Sequence, residues 1–345
     1  TITFFRTVFR RYTNFAMEAH EITASSSSAS SAEFMFDRIG DVVFFAYAKI
    51  VLPALADNKS YIANVGQRLI EKAELKIGGQ VIDTLYSSWL VCWEALAGAP
   101  GKDIAEMVGS AGQGAAAAKT LYVPLPFFFT QSSGLALPLV SLQFHSVKCK
   151  LSLRAMTAMC DDADVGAANI SLLLTYIFLD TEERRRFAEG AFEVLIQQHQ
   201  EVQGGKVVAD GDSVEFAHLS FSHCVEELVW CIEGDDFAIA TSGETVDNIQ
   251  ILFNGNKREE ESAGAYYRLV QPYQHHSKIP DARVYCYSFS LHPEEAAPSG
   301  SANFSRIDNV KFKCTANAAG TLRLMAQNYN VLRFRYGLGG LKFAN

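Results

Sequence analysis

The sequence predicts an all-β protein built from two antiparallel sandwiches in tandem, and three observations lead there. At 345 residues the chain exceeds what one hydrophobic core organises, and about 150 residues per domain gives two. Short runs of alternating apolar and polar residues recur along its length, while patterns of helical period are few. Turn signals such as Gly78-Gly79 and Asn254-Gly255 separate the runs. Hydrophobic residues make up 49% of the chain, so both halves can bury a core without metal or disulfide support.

An aromatic and basic arm over about residues 1–20 comes first, with Phe4, Phe5, Arg6, Phe9, Arg10, Arg11, Tyr12, Asn14 and Phe15. Ser25 to Ser31 reads as a loop leading to a strand over Val42 to Val51. Leu75 and Ile77 alternate with Glu74 and Lys76, and Gly78-Gly79 supplies the positive φ angles of a tight hairpin into Val81 and Ile82. Tyr86, Trp89, Leu90 and Trp93 then fall on one face of a short amphipathic helix, with Thr84 as its cap. Gly98 to Ala118 turns to Gly and Ala and reads as a flexible surface excursion.

Val140, Leu142 and Phe144 alternate, as do Val147, Cys149, Leu151 and Leu153 after a change of parity, which predicts one long bulged strand. Leu172 to Leu179 is a further strand. Asp180 and Glu183 form a capping box, and acidic Glu182 and Glu183 precede Arg184, Arg185 and Arg186 as the helix dipole favours. This short helix is expected to divide the chain into residues 1–185 and 186–345. Strands follow over Leu228, Trp230 and Ile232; Ile249, Ile251 and Phe253; Tyr285, Tyr287, Phe289 and Leu291; Val310, Phe312 and Cys314; and Leu322, Leu324 and Ala326.

A net charge of −8 argues against direct binding of a nucleic-acid genome, which needs clustered cations to displace counterions. The seven cysteines stand singly without metal-ligand spacing and read as reduced, mostly buried side chains of a protein folded in a cytosol-like compartment. Ile39 to Leu55, the most apolar stretch, is broken by Asp41, Lys49 and Pro53 and does not span a membrane. His275-His276 with His218 and His223 lack a matching carboxylate spacing, so no metal or other cofactor is expected. The acidic groups Asp161-Asp162, Asp235-Asp236, Glu259 to Glu261 and Glu294-Glu295 read as solvated turns in preference to glycosidase carboxylates. Nucleophile-elbow, phosphate-loop and dinucleotide glycine motifs are missing, and the sequence favours a structural role over catalysis.

Several well-separated segments carry a resemblance. The arm from Thr3 to Ala16, the hairpin Ile77-Gly78-Gly79-Gln80-Val81-Ile82-Asp83, the segment Pro298-Ser299-Gly300-Ser301-Ala302-Asn303-Phe304-Ser305-Arg306-Ile307-Asp308, and the ending Tyr329 to Leu332 with Gly339-Gly340-Leu341 resemble the major capsid proteins of nucleocytoplasmic large DNA viruses of the chlorovirus and iridovirus type. Tyr122 to Leu125, Phe127 to Phe129, Gly134 to Leu139 and Phe178 to Arg184 agree with it. The resemblance implies two tandem eight-stranded jelly rolls, a homotrimer of nearly hexagonal outline, and capsomers that tile an icosahedral virion assembled in the host cytoplasm. It also implies neighbouring capsomers, minor capsid proteins and an internal viral membrane as partners. A minor capsomer of the same family, or a carbohydrate-binding jelly-roll spike protein, is the alternative.

Within that reading the arm would clip onto a neighbour or the shell's inner face, or else cover the base of its own domain. Pro298, Ser299 and Gly300 favour a turn, and Asn303, Ser305 and Asp308 can satisfy backbone groups around it, so the segment is expected to fix a tight corner. Asn58, Asn169 and Asn303 each open an N-x-S sequon, about the number chance supplies, and cytoplasmic assembly would keep them from the glycosylation machinery.

Overall fold

Sixteen principal strands pair into four antiparallel sheets in a computed structural model that describes Phe5 and residues 12–56, 58–99, 101–109, 118–258 and 260–344. Eight come from the first half: β1 (Phe15–Thr23), β2 (Ser31–Met35), β3 (Val42–Leu52), β4 (Ile70–Ile77), β5 (Gln80–Tyr86), β6 (Lys119–Pro124), β7 (Val147–Leu153) and β8 (Asn169–Leu179). Eight come from the second: β9 (Phe192–Glu201), β10 (Ser213–Phe216), β11 (Cys224–Glu233), β12 (Val246–Phe253), β13 (Asn256–Lys257), β14 (Val284–Ser288), β15 (Val310–Ala316) and β16 (Gly320–Arg335).

The first half pairs in the orders β1-β8-β3-β6 and β2-β7-β4-β5, and the second repeats this as β9-β16-β11-β14 and β10-β15-β12-β13. Two facing sheets with these crossovers are a jelly roll. Each half therefore has the eight-stranded jelly-roll topology. Strict alternation explains the first sandwich: along β4, Ala73, Leu75 and Ile77 are buried between Lys72, Glu74 and Lys76. Gly78 and Gly79 adopt φ of 57° and 86° at the β4–β5 turn, and Asn254 and Gly255 adopt 50° and 82° at the β12–β13 turn, the left-handed pair a two-residue hairpin needs.

Helices are short and lie between strands: α1 (Val65–Leu69), α2 (Ser87–Ala97) and α3 (Thr181–Glu189). Between β13 and β14 the chain makes one continuous helical stretch, Tyr266–Val270 followed by Gln271–His275. Among the described residues no helix is long and apolar enough to cross a membrane.

Several local expectations are corrected. Ser26–Ser28 pairs with β2 as a small hairpin where a loop was expected, because hydroxyl groups such as Ser28 Oγ satisfy the turn. Thr84 lies inside β5, and α2 starts without a side-chain cap. The long bulged strand is broken: Leu139–Ser141 is a 3-10 turn, Phe144 is 73% exposed, and only Val147–Leu153 pairs. Val140 N–H bonds to Asp41 and Phe144 N–H to Gly337, so those backbone groups are committed elsewhere. β14 ends at Ser288, leaving Leu291 exposed. At α3 Asp180 accepts from Thr181 N–H, but the Glu183 carboxylate takes the Thr13 hydroxyl at 2.6 Å in place of the reciprocal half of a capping box. Gly98 to Ala118 contains a helical turn, Ala105–Val108, with Val108 buried; residues 110–117 lie outside the described residues.

Candidate assembly site, a seam between the rolls and an uncovered sheet face

β11 is buried along almost its whole length on both faces, which a half-buried sandwich strand never is. Its Leu228, Trp230 and Ile232 point into the second roll's core together with Leu324 and Tyr285. Its Val229 and Cys231, with Val284, Cys286, Met325, Leu332 and Phe334, belong to the hydrophobic cluster of the first roll. The sheet β9-β16-β11-β14 is thus a shared wall, with its own partner sheet on one side and the first roll on the other.

The first roll meets that wall with α2, α1 and the β4–β5 hairpin. The ring of Trp89 of α2 lies 4.6 Å from that of His199 of β9, tilted by 46°, Cys92 lies against Cys231, and Trp93 meets His276 in a T-shaped contact. Ser87 to Cys92 are all buried, so α2 is enclosed on both sides and not amphipathic as expected. The sequence did carry a signal: Ser87 to Trp93 contains no charge.

Most polar groups in the seam are paired, Trp89 Nε1 and Glu227 Oε1 being exceptions. Asp83 accepts from His199 backbone N–H at 2.9 Å and from Thr84 N–H at 2.8 Å, and its carboxylate lies 3.1 Å from His199 Nδ1. Gln198 donates to the Ile82 carbonyl. Arg68 of α1 bonds Glu233 of β11, both side chains almost fully buried, and Arg323 Nε reaches the other Glu233 oxygen at 3.1 Å. Arg154 lies 4.4 Å over the Phe237 ring. His276 is held between Glu227 at 2.9 Å and Glu294 at 3.2 Å. Burial opposes its charge, but the Glu227 carboxylate, a hydrogen bond with Cys286 and the Glu294 carboxylate outweigh that and push its pKa up to about 12. Among the described residues no group of three or more His, Cys, Asp or Glu could hold a metal ion.

The structure gathers two of the quoted motifs at this seam. Gly78 has no room for a side chain, since a Cβ there would meet the His145 ring at 2.5 Å. His145 Nδ1 lies 2.9 Å from the Gly339 carbonyl, and Gln80 Oε1 accepts from Leu341 N–H. Gly339 and Gly340 lie in a final strand, Leu338–Leu341, that pairs with β16. The Pro298 segment lies elsewhere, at one end of the second roll. Ser299 Oγ bonds Ser290 Oγ at 2.8 Å and accepts from His292 N–H, Gly300 has φ 143°, and Ser305 Oγ accepts from His223 N–H at 2.7 Å. Phe304 is buried beside Phe253 and Phe289, while Pro298, Arg306 and Asp308 are exposed.

Of the arm residues, Phe4, Arg6, Arg10 and Arg11 lie outside the described residues, as does Glu259 of the acidic groups. Phe5, Tyr12, Asn14 and Phe15 are exposed, and Phe15 opens β1. Asn58 and Asn169 are exposed sequon residues, whereas Asn303 is partly buried in a short strand against β11.

The outward face of β1-β8-β3-β6 is a second surface of interest. Inner positions Leu172, Leu174, Ala46, Ala48 and Ile50 are buried, and the alternate positions carry Phe15, Met17, Phe45, Tyr47, Leu173 and Tyr122 outward. Phe15 is 63% exposed and Met17 47%. Lys49, Glu21 and Ser171 form a polar rim on the same face, joined by bonds of 2.6 and 2.7 Å.

Comparison with known proteins decides what this arrangement is. Residues 3–180 match a family model described as the major capsid protein N-terminus, and residues 183–340 match the model of the large eukaryotic DNA virus major capsid protein. The chain belongs to this capsid protein family. It is 34% identical to the major capsid protein of Pyramimonas orientalis virus and 33% identical to that of Paramecium bursaria Chlorella virus 1, in each case over 100% of this chain and 94% and 95% of the relative. It superposes on the capsid chain of the PBCV-1 virus capsid model with a TM-score of 0.90 at 31% identity, covering 99% of this chain and 100% of the other. The Faustovirus major capsid protein shares the fold at 13% identity and a TM-score of 0.72, covering 97% and 93%. The capsid protein is a structural component of the virion, with two jelly rolls, and not an enzyme.

Proposed function

We propose that this capsid protein closes a homotrimer of six jelly rolls, and that the trimers tile the icosahedral shell of a large double-stranded DNA virus. The supporting observation is an asymmetry between the two rolls. In the second roll, the outward face of β9-β16-β11-β14 is covered within the chain by α2, which follows β5 of the first roll. In the first roll, no helix among the described residues covers the equivalent face of β1-β8-β3-β6 in the same way, and Phe15 and Met17 are exposed on it. The element equivalent to α2 is the helical stretch 266–275 after β13, and it exposes Leu269, Val270 and Tyr273, the last at 77%.

A ring in which every roll presents this helix to the next roll's sheet joins those two apolar surfaces between chains. Three chains complete six such contacts, three within chains and three between. The division between rolls falls in α3, giving residues 1–185 and 186–345, and the arm over residues 1–20 engages a neighbouring capsomer or the shell's inner face. Minor capsid proteins and an internal membrane beneath the shell are the remaining partners, with assembly in the host cytoplasm and no direct genome contact.

Sedimentation velocity and light scattering test this reading. A mass near three chains is expected, reduced to one chain by Met17→Glu or Tyr273→Glu while the circular dichroism spectrum stays that of the parent and melting remains cooperative. A monomer at every concentration, or trimers indifferent to both substitutions, would overturn it. A soluble monomer that binds immobilised saccharides would favour the spike-protein alternative.

A further inference from the structure

We propose that Cys92 and Cys231 are a covalent modification site, a latent disulfide that staples the two jelly rolls together when the protein passes from a reducing to an oxidising medium. The two sulfurs are 3.6 Å apart, and both residues are fully buried. One stands on α2 of the first roll and the other on β11 of the second, 139 residues away in sequence. All seven cysteines are free thiols.

A disulfide needs about 2.05 Å between sulfurs, so the gap closes by about 1.5 Å, within the reach of side-chain torsions. The surroundings hold the pair in place. Trp89 and Trp93 flank Cys92 on α2 and stack on each other at 5.4 Å, and Lys278 N–H bonds the Leu96 carbonyl at the end of the helix. The contact with Cys92, with burial second, holds the Cys231 thiol well above its ordinary range, so the thiolate that starts exchange is scarce. Exchange is therefore slow and follows opening of the seam.

The chemistry balances with a small-molecule disulfide as oxidant. One thiolate attacks it and releases a thiol, and the second thiolate then displaces the remaining thiol from the mixed disulfide. One S–S bond forms and one breaks. The two cysteines lose two electrons and two protons, which leave on the two released thiols.

The rival partner is Cys286. It sits opposite Val229 while Cys231 sits opposite Val284, so the two cysteines are diagonal neighbours on one face of the sheet. His276 hydrogen-bonds Cys286.

The test equilibrates the full-length protein in glutathione buffers of increasing oxidised fraction, both natively and during refolding from denaturant. Acid quenching, unfolding, alkylation and intact mass then count thiols, and digestion without reduction identifies the linked peptides. The proposal expects five alkylated cysteines of the seven, a single Cys92–Cys231 peptide pair, and a melting temperature raised by roughly 5 °C that a reductant reverses. Cys92→Ser and Cys231→Ser should each abolish the rise. Seven alkylated thiols under both regimes, a stable glutathione adduct, or a Cys231–Cys286 link would overturn it.

Discussion

Replacing Glu233 by Gln removes one negative charge from a site where two guanidinium groups converge. Arg68 and Glu233 expose only 3% and 2% of their side chains, and Arg323 bonds the second carboxylate oxygen. In Glu233→Gln, Arg68 stays buried with no counter-ion on its Nη1, and breaking a buried pair on one side costs about 3–5 kcal/mol. At roughly 2.1 cal/mol/K of unfolding entropy per residue, a 345-residue chain loses about 1.4 °C per kcal/mol, so the melting temperature should fall by roughly 4–7 °C. The double variant Arg68→Met with Glu233→Leu removes both charges of the buried pair and keeps apolar volume, while the partly exposed Arg323 retains Glu201 at 3.6 Å, so it should lie within about 1–2 kcal/mol of the parent. Urea unfolding followed by tryptophan fluorescence reads this directly, because Trp89 and Trp93 report the seam and Trp230 the second core. A single variant as stable as the parent, or a double variant worse than the single, would refute the argument from an unpaired buried charge.

Asp83→Ala deprives the His199 and Thr84 N–H groups of their acceptor and should cost about 2–3 kcal/mol in urea titration. Gly78→Ala and Gly79→Ala should differ in size: both impose a left-handed φ at about 1 kcal/mol, but only Gly78→Ala also drives a methyl into His145, so its melting temperature should fall further. Burial raises Glu226 and Glu201 from 4.5 to about 7, so the folded state holds these protons more tightly than the unfolded one. Their contribution to stability is fully present below pH 4.5 and is lost as pH rises to about 7, by up to about 3 kcal/mol each. Glu226→Gln should flatten the pH dependence of urea midpoints in that window, and an unchanged slope would assign it elsewhere.

Local chemistry made much of this fold legible. The Gly78-Gly79 and Asn254-Gly255 turns, the alternation along β4 and the Asp180 cap follow from two or three adjacent residues, so sequence alone could place them. The broken strand at Val140 to Phe144 shows the limit, because the backbone groups that decide it belong to Asp41 and Gly337, distant in sequence. The seam was hidden for the same reason. Glu226 and Glu227 look like solvated acids until a β-bulge between Val225 and Glu227 turns them toward different partners: Gln197 and Tyr329 for one, His276 for the other. Trp89 and Trp93 were recognisable as helical, but what they pack against is set by a wall of strands more than 100 residues later.

The docking of Leu338–Leu341 against Gln80 and His145 has a temporal meaning. The first roll is synthesised with this corner open, and the strand that fills it comes much later, Leu341 following Gln80 by 261 residues. Closure of this corner thus waits until the second roll has been made, so a chain that stops before Leu338 leaves Gln80 and His145 without the strand that docks on them.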